Sequence, residues 1–247
     1  MAKSDKTQRR AAVDHIRSQQ KRADRRQGMV IVGACVVVAL LIVGLAAFRP
    51  IKDWWDLRAY NDLQLSKIGE PAGVCGKIET KPASGTQQHV EPGTPVDYEF
   101  TPPAFGQHEN VPDGMERKLY TESDRPNIEK LVHNLEHGYT ILWYDETIAD
   151  DDEQMTELRA IADKLKGTDN WRLKFKAVPW LEEDGAAFPK GQHIAFTHWS
   201  RGGKDVEASD AAKQVGVWQY CSAPSGAALD DFMLKYPYLD SPEPNAQ

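Results

Sequence analysis

The sequence predicts an α+β protein: a single N-terminal transmembrane helix followed by a compact extracytoplasmic α+β sandwich domain. Three observations carry that expectation. Residues 29–48 (MVIVGACVVVALLIVGLAAF) contain no charged side chain. Residues 69–126 hold fifteen Gly and Pro, a density that forbids long helices. From Arg125 onward, helical and strand-like apolar spacings follow one another, the pattern of helices packed on one small sheet.

Taken in order, residues 1–28 carry nine Lys and Arg against Asp5, Asp14 and Asp24, a balance of +6. The uncharged span that follows would measure about 30 Å as a helix, the thickness of a bilayer core. A basic arm stays in the cytoplasm under the positive-inside rule, so the chain beyond Arg49 is expected outside, with residues 29–48 in contact with lipid. A cleavable signal peptide competes, since Ala46 and Ala47 are small, but its apolar region would normally be about 7 to 15 residues. The arm reads as a topology determinant and disordered tail. Residues 49–68 form a juxtamembrane helix or stalk, with Trp54, Leu57, Tyr60, Leu63, Leu65 and Ile68 at helical spacing. Trp54 and Trp55 suit the headgroup layer or packing against the domain.

The extracytoplasmic domain is expected over residues 69–240. In it, 95–101 (PVDYEFT) alternates as a strand, 125–137 spaces Ile128, Leu131, Val132 and Leu135 as a helix stopped by Gly138, and 139–144 (YTILWY) reads as a buried strand. An acidic amphipathic helix over 149–166 precedes strands at 172–178 and 193–199, and Ser225 caps a last helix reaching Tyr236. Residues 241–247 read as a disordered tail.

Charge and cysteine content restrict the function. Beyond the arm, 21 basic face 34 acidic residues, a net charge of −13 that repels a phosphate backbone, so no nucleic acid is expected as a partner. Cys35 lies inside the apolar span, where it reads as a small buried hydrophobe. Cys75 and Cys221 are the two cysteines outside it, and in an oxidising compartment they are expected to form a disulfide. No Cys-x-x-Cys motif supports thioredoxin-type chemistry.

The densest chemical signal is His133-Asn-Leu-Glu136-His137-Gly138. Two imidazoles four residues apart share one helix face and can grip one ion, and a helix C-terminus favours a cation. His89 and His108 lie in the Gly/Pro-rich region, where nothing else requires an imidazole, so the four histidines could converge. Such a donor set suits copper or zinc, whereas calcium and magnesium want oxygen. Met115 could add a soft sulfur. Glu136 would orient an imidazole from behind the ligands. His193 and His198, five apart on a strand pattern, point to opposite faces and read as structural.

Two other readings stay open. His-x-x-Glu-His is also the inverted zinc-protease motif, with Glu136 as general base, although Gly138 ends the helix at once and only Glu153 or Glu157 offers a further acidic ligand. The domain could also be a structural module without metal.

The order His89, Tyr98, Pro102-Pro103, Gly106-x-His108, then Leu131-Val-His-x-Leu-Glu-His-Gly138 and a hydrophobic strand resembles the family catalogued as domain of unknown function 3105. The resemblance covers about residues 60 to 240. It implies a single-pass membrane-anchored protein of a kind frequent in actinobacteria, and it supports grouping the four histidines without naming a reaction. The family's loop is similar to Pro-Pro-Thr-Ser-Gly-Pro-His; here Ala104, Phe105 and Gln107 replace the Thr, Ser and last Pro, which removes two hydroxyls and keeps His108. The expected protein is a membrane-anchored metal carrier or an accessory factor of a membrane protein complex.

Overall fold

The computed structural model describes residues 2–83, 87–203 and 205–246, in two compact units, Met1–Asp56 and Leu57–Gln247. The first unit is almost entirely helix α1 (Ala2–Leu57), which passes without a break through the basic arm and the apolar span. The arm is therefore helical where a disordered tail was expected; no Gly or Pro interrupts it before Gly28. This helix is long and apolar enough to cross a membrane, as an anchor or a signal sequence would be. Cys35 lies within this helix and is not disulfide-bonded. Trp54 and Trp55 are exposed.

The second unit begins earlier than the expected stalk boundary at residue 69. Leu57 at the end of α1, and Tyr60 and Leu65 in short 3-10 turns rather than a continued helix, pack with Ile68 against the domain core. The core is organised by a five-stranded sheet in the order β1 (Glu79–Pro82), β7 (Val215–Cys221), β6 (Ile194–Ser200), β4 (Thr140–Tyr144) and β5 (Phe175–Pro179). All neighbours are antiparallel except β4 and β5, whose parallel pairing requires a crossover, here made by α3 (Glu146–Ala149) and α4 (Asp152–Lys164). The period of two along β4 sorts its side chains between two cores. Leu142 and Tyr144 join α4 and α5 (Gly226–Lys235) on one face, while Ile141 and Trp143 join α2 (Ile128–Glu136) on the other. Helices thus cover both faces.

Several expected elements are redrawn. The helix expected over 149–166 is α4, shortened at both ends and preceded by the separate short α3, because Asp145 and Asp151 each cap their own start; Asp151 Oδ1 accepts the Glu153 and Gln154 N–H groups at 3.0 Å. Residues 171–173 form a capped 3-10 turn, so β5 starts at Phe175. Residues 95–101 form no strand: Tyr98 turns inward against the α2-side core and donates its hydroxyl to Gln107 O at 2.8 Å, tying the segment to its own loop. Strand β7, which no sequence signal singled out, lies inside the sheet. Its Gly216 breaks the apolar alternation because the Phe105 and Trp218 rings occupy the space of a side chain, an added Cβ falling 2.4 Å from the Phe105 ring.

The tail is ordered as far as the structure describes it. His198, buried on β6, turns both ring nitrogens to carbonyls, Tyr139 O at 3.1 Å and Asp240 O at 2.8 Å. Asp240 in turn accepts from Ser200 Oγ and Gly203 N, each at 2.8 Å. The Lys174 ammonium, itself buried, donates to Pro244 O and Ala246 O. Residues 241–246 of the tail expected to be disordered over 241–247 are thus held in place, because buried donors await their backbone carbonyls; Gln247 lies outside the described residues. His193 pairs with Asp145 at 2.8 Å. A Cys75–Cys221 disulfide ties the segment before β1 to the end of β7, with Cα atoms 3.9 Å apart; closing a loop of 146 residues is worth very roughly 5 kcal/mol in the chain-entropy account.

Two predictions follow from this packing. Gly138 has φ +88°, and a Cβ there would lie 2.3 Å from Tyr238 O. Gly138→Ala should therefore cost at least about 2 kcal/mol in urea unfolding, through strain and overpacking together. Glu157 is pushed up to about 7 by burial and by Glu153, Glu70 and Asp151. With the folded value above the unfolded one, the group favours folding below about pH 4.5 and that contribution is lost as pH rises through 7. Glu157→Gln should match the parent at pH 4 and exceed it at pH 8, by about 1 kcal/mol or less after solvent screening; equal stability at both pH values would contradict this.

Candidate metal centre

The centre is built on helix α2, whose Leu131, Val132 and Leu135 are fully buried against β4 and β6, each contributing about 1.5–3 kcal/mol. Sinking this apolar face carries the alternating polar positions His133 and Glu136 inside with it, at 4 % and 1 % exposure. His137 caps the helix, its N–H donating to His133 O at 3.1 Å, and Gly138 turns the chain away.

The other two histidines arrive through a second, two-stranded sheet. β2 (His89–Val90) and β3 (His108–Glu109) pair in parallel with His89 directly opposite His108. Ring centroids stand 4.9 Å apart for His89 and His108, 5.0 Å for His89 and His133, and 4.8 Å for His108 and His133. His108 is fully buried; the His89 side chain is half exposed and gives the cluster its edge toward solvent.

Backbone carbonyls fix the tautomers. His108 Nδ1 lies 2.8 Å from Gly106 O and His133 Nδ1 lies 2.6 Å from Glu109 O. A carbonyl only accepts, so each Nδ1 carries the hydrogen and each neutral ring presents an Nε2 lone pair inward. His108 Nε2 meets Glu136 Oε2 at 2.9 Å, yet neither atom has a hydrogen bond of proper geometry and both are buried. Two lone pairs at that distance repel unless a proton or a metal cation lies between them. His133 Nε2, bare in this tautomer, accepts a hydrogen bond from His137 Nε2 at 2.9 Å.

The electrostatics point the same way. Burial pushes His133 down to about 4, against the opposing hydrogen bond to Glu109 O, so it is neutral and ready to ligate. Burial would raise Glu136, but His108, the Gln87 amide and His133 outweigh it and hold the carboxyl below its usual range. Gln87 Nε2 donates to Glu136 Oε1 at 2.9 Å and so orients the carboxylate.

His89, His108, His133 and Glu136 bring one donor atom each within 4.8 Å of one another, a group that could hold a metal ion. Glu136 was expected behind the ligands and instead stands among them. His137 is one step out, grouped with Glu136 and Glu243. Met115 lines a separate cleft with Tyr139, Trp171 and Lys174. Sequence reasoning missed Gln87, Glu109 and Glu243. Glu109 is buried with its Oε1 accepting from Gly93 N and Asn127 Nδ2, which ties β3 to the start of α2; no local pattern marks any of the three.

The tautomers are directly testable. Long-range ¹H–¹⁵N NMR of the metal-free protein should show His108 and His133 protonated at Nδ1 and bare at Nε2; the opposite tautomer at either ring would remove the argument for an inward lone pair.

No match to a curated protein or to a solved structure was found. The family model described as protein of unknown function (DUF3105) matches residues 89–247, a span that opens on His89 and takes in every donor of the centre. The chain belongs to the DUF3105 family.

Proposed function

We propose that this is a membrane-anchored extracytoplasmic protein that binds a transition metal, copper or zinc, as a carrier or as an accessory factor of a membrane protein complex. The observation that carries the reading is the buried meeting of His108 Nε2 and Glu136 Oε2 at 2.9 Å with no hydrogen bond between them. Burying such polar atoms unsatisfied costs about 1–3 kcal/mol each, a cost that a shared cation removes. Three imidazoles and one carboxylate form a nitrogen-rich set that suits zinc or copper(II) better than calcium or magnesium. The apolar helix over residues 29–48 and the Cys75–Cys221 disulfide support an anchor in the bilayer with the domain on the oxidising side.

The donor count favours binding over hydrolysis. Four protein donors fill a tetrahedral zinc, as in closed sites, whereas a catalytic zinc keeps a position open. Glu136, the general base of a hydrolase reading, is occupied within the donor group. Glu153 and Glu157, the acidic ligands that reading would call on, lie on α4, which packs on the opposite face of the sheet from α2.

Metal analysis of the full chain, purified in detergent without a His tag, should find copper or zinc at one equivalent or more. His108→Ala or His133→Ala should abolish tight binding, with the fold monitored by circular dichroism. A metal-free wild-type protein that also fails to take up either ion would leave the domain a structural module; retained zinc with peptide turnover would favour the hydrolase.

A further inference from the structure

His137 falls outside the four-donor group. Its Nε2 lies 2.9 Å from that of His133, within hydrogen-bond distance. It has its own partners: His137, Glu136 and Glu243 place one donor atom each within 4.8 Å of one another, with His137 Nε2 3.6 Å from Glu243 Oε2. Glu136 is common to both groups.

Glu243 is held in place by the fold. Its N–H donates to Glu136 O at 2.9 Å, so the tail is bonded to the same residue that its side chain approaches. Just beyond it, Lys174 Nζ takes Pro244 O at 3.4 Å and Ala246 O at 2.7 Å while donating to His137 O at 2.7 Å. One buried ammonium therefore sets the helix end and the tail in a fixed relation.

We propose that the centre holds two metal ions that share the Glu136 carboxylate: an inner ion on His89, His108, His133 and Glu136, and an outer ion on Glu136, His137 and Glu243. The inference rests on the metal-binding reading above and adds the outer site. Paired ions of this kind stand about 3.5–4 Å apart. The outer ion has three protein donors, so one position remains for water or for an exchanging ligand. That position lies beside Glu243, which is half exposed.

The test uses the full chain in detergent, stripped of metal, loaded with zinc chloride and desalted. Wild-type protein should retain two zinc ions per chain and show a metal–metal distance of about 3.5–4 Å in X-ray absorption. Glu243→Gln should retain one ion and lose that distance, while His108→Ala loses the inner ion. One ion in both wild type and Glu243→Gln overturns the outer site and leaves the single-ion reading intact. Loss of both ions in Glu243→Gln with the fold preserved overturns the separation into two sites. No retained zinc in the wild type overturns the metal reading and this inference together.

Discussion

A carboxylate and imidazoles buried side by side are the constraint around which this domain is arranged. An ionised carboxylate inside a protein is costly unless it is paired and hydrogen-bonded. Glu136 meets that condition on one side only: Gln87 donates to Oε1, while Oε2 faces His108 without a hydrogen bond. Its position is not negotiable, because Leu131, Val132 and Leu135 on the same short helix fill the core under the sheet. The apolar face holds the polar face in place, and the β2–β3 pair brings His89 and His108 to meet it.

Buried cations complete the frame. Lys176, fully buried, binds the Asp113 carboxylate and donates to Gly114 O at 2.6 Å. Asp113 exchanges two hydrogen bonds with the Asn134 amide, so this ion pair reaches α2. Lys174 has no carboxylate partner among the described residues; it sits among the Trp171, Tyr139 and Tyr238 rings and satisfies three carbonyls, and burial pushes it down to about 8. Placed at the His137 carbonyl, a positive charge also complements the negative end of the helix dipole. The tail that carries Glu243 is thereby held against the histidine–glutamate cluster rather than left in solvent.

The regular elements of the second half were legible because their apolar spacing is strong. The helix ending at His137, the 139–144 strand and the Ser225-capped helix all stand close to where their patterns placed them. β7 was hidden because its pattern is interrupted by Gly216, a residue required by the Trp218 ring of the same strand and by the Phe105 ring of a distant loop. The 95–101 alternation misled because Tyr98 is satisfied within its own loop, with no strand alongside to extend a ladder.

What the sequence determined by itself is local: an uncharged span of membrane length, the α+β composition, a helix that must put His133 and His137 on one face, and two cysteines available to each other. What the tertiary structure decided is which distant groups share a dielectric environment. The opposition of His89 and His108, the entry of Glu136 among the donors and the docking of Glu243 depend on strand register and on buried lysines whose partners are backbone carbonyls. Carbonyls are the same at every residue, so no side-chain pattern can announce them; only the folded chain shows which ones a buried donor will find.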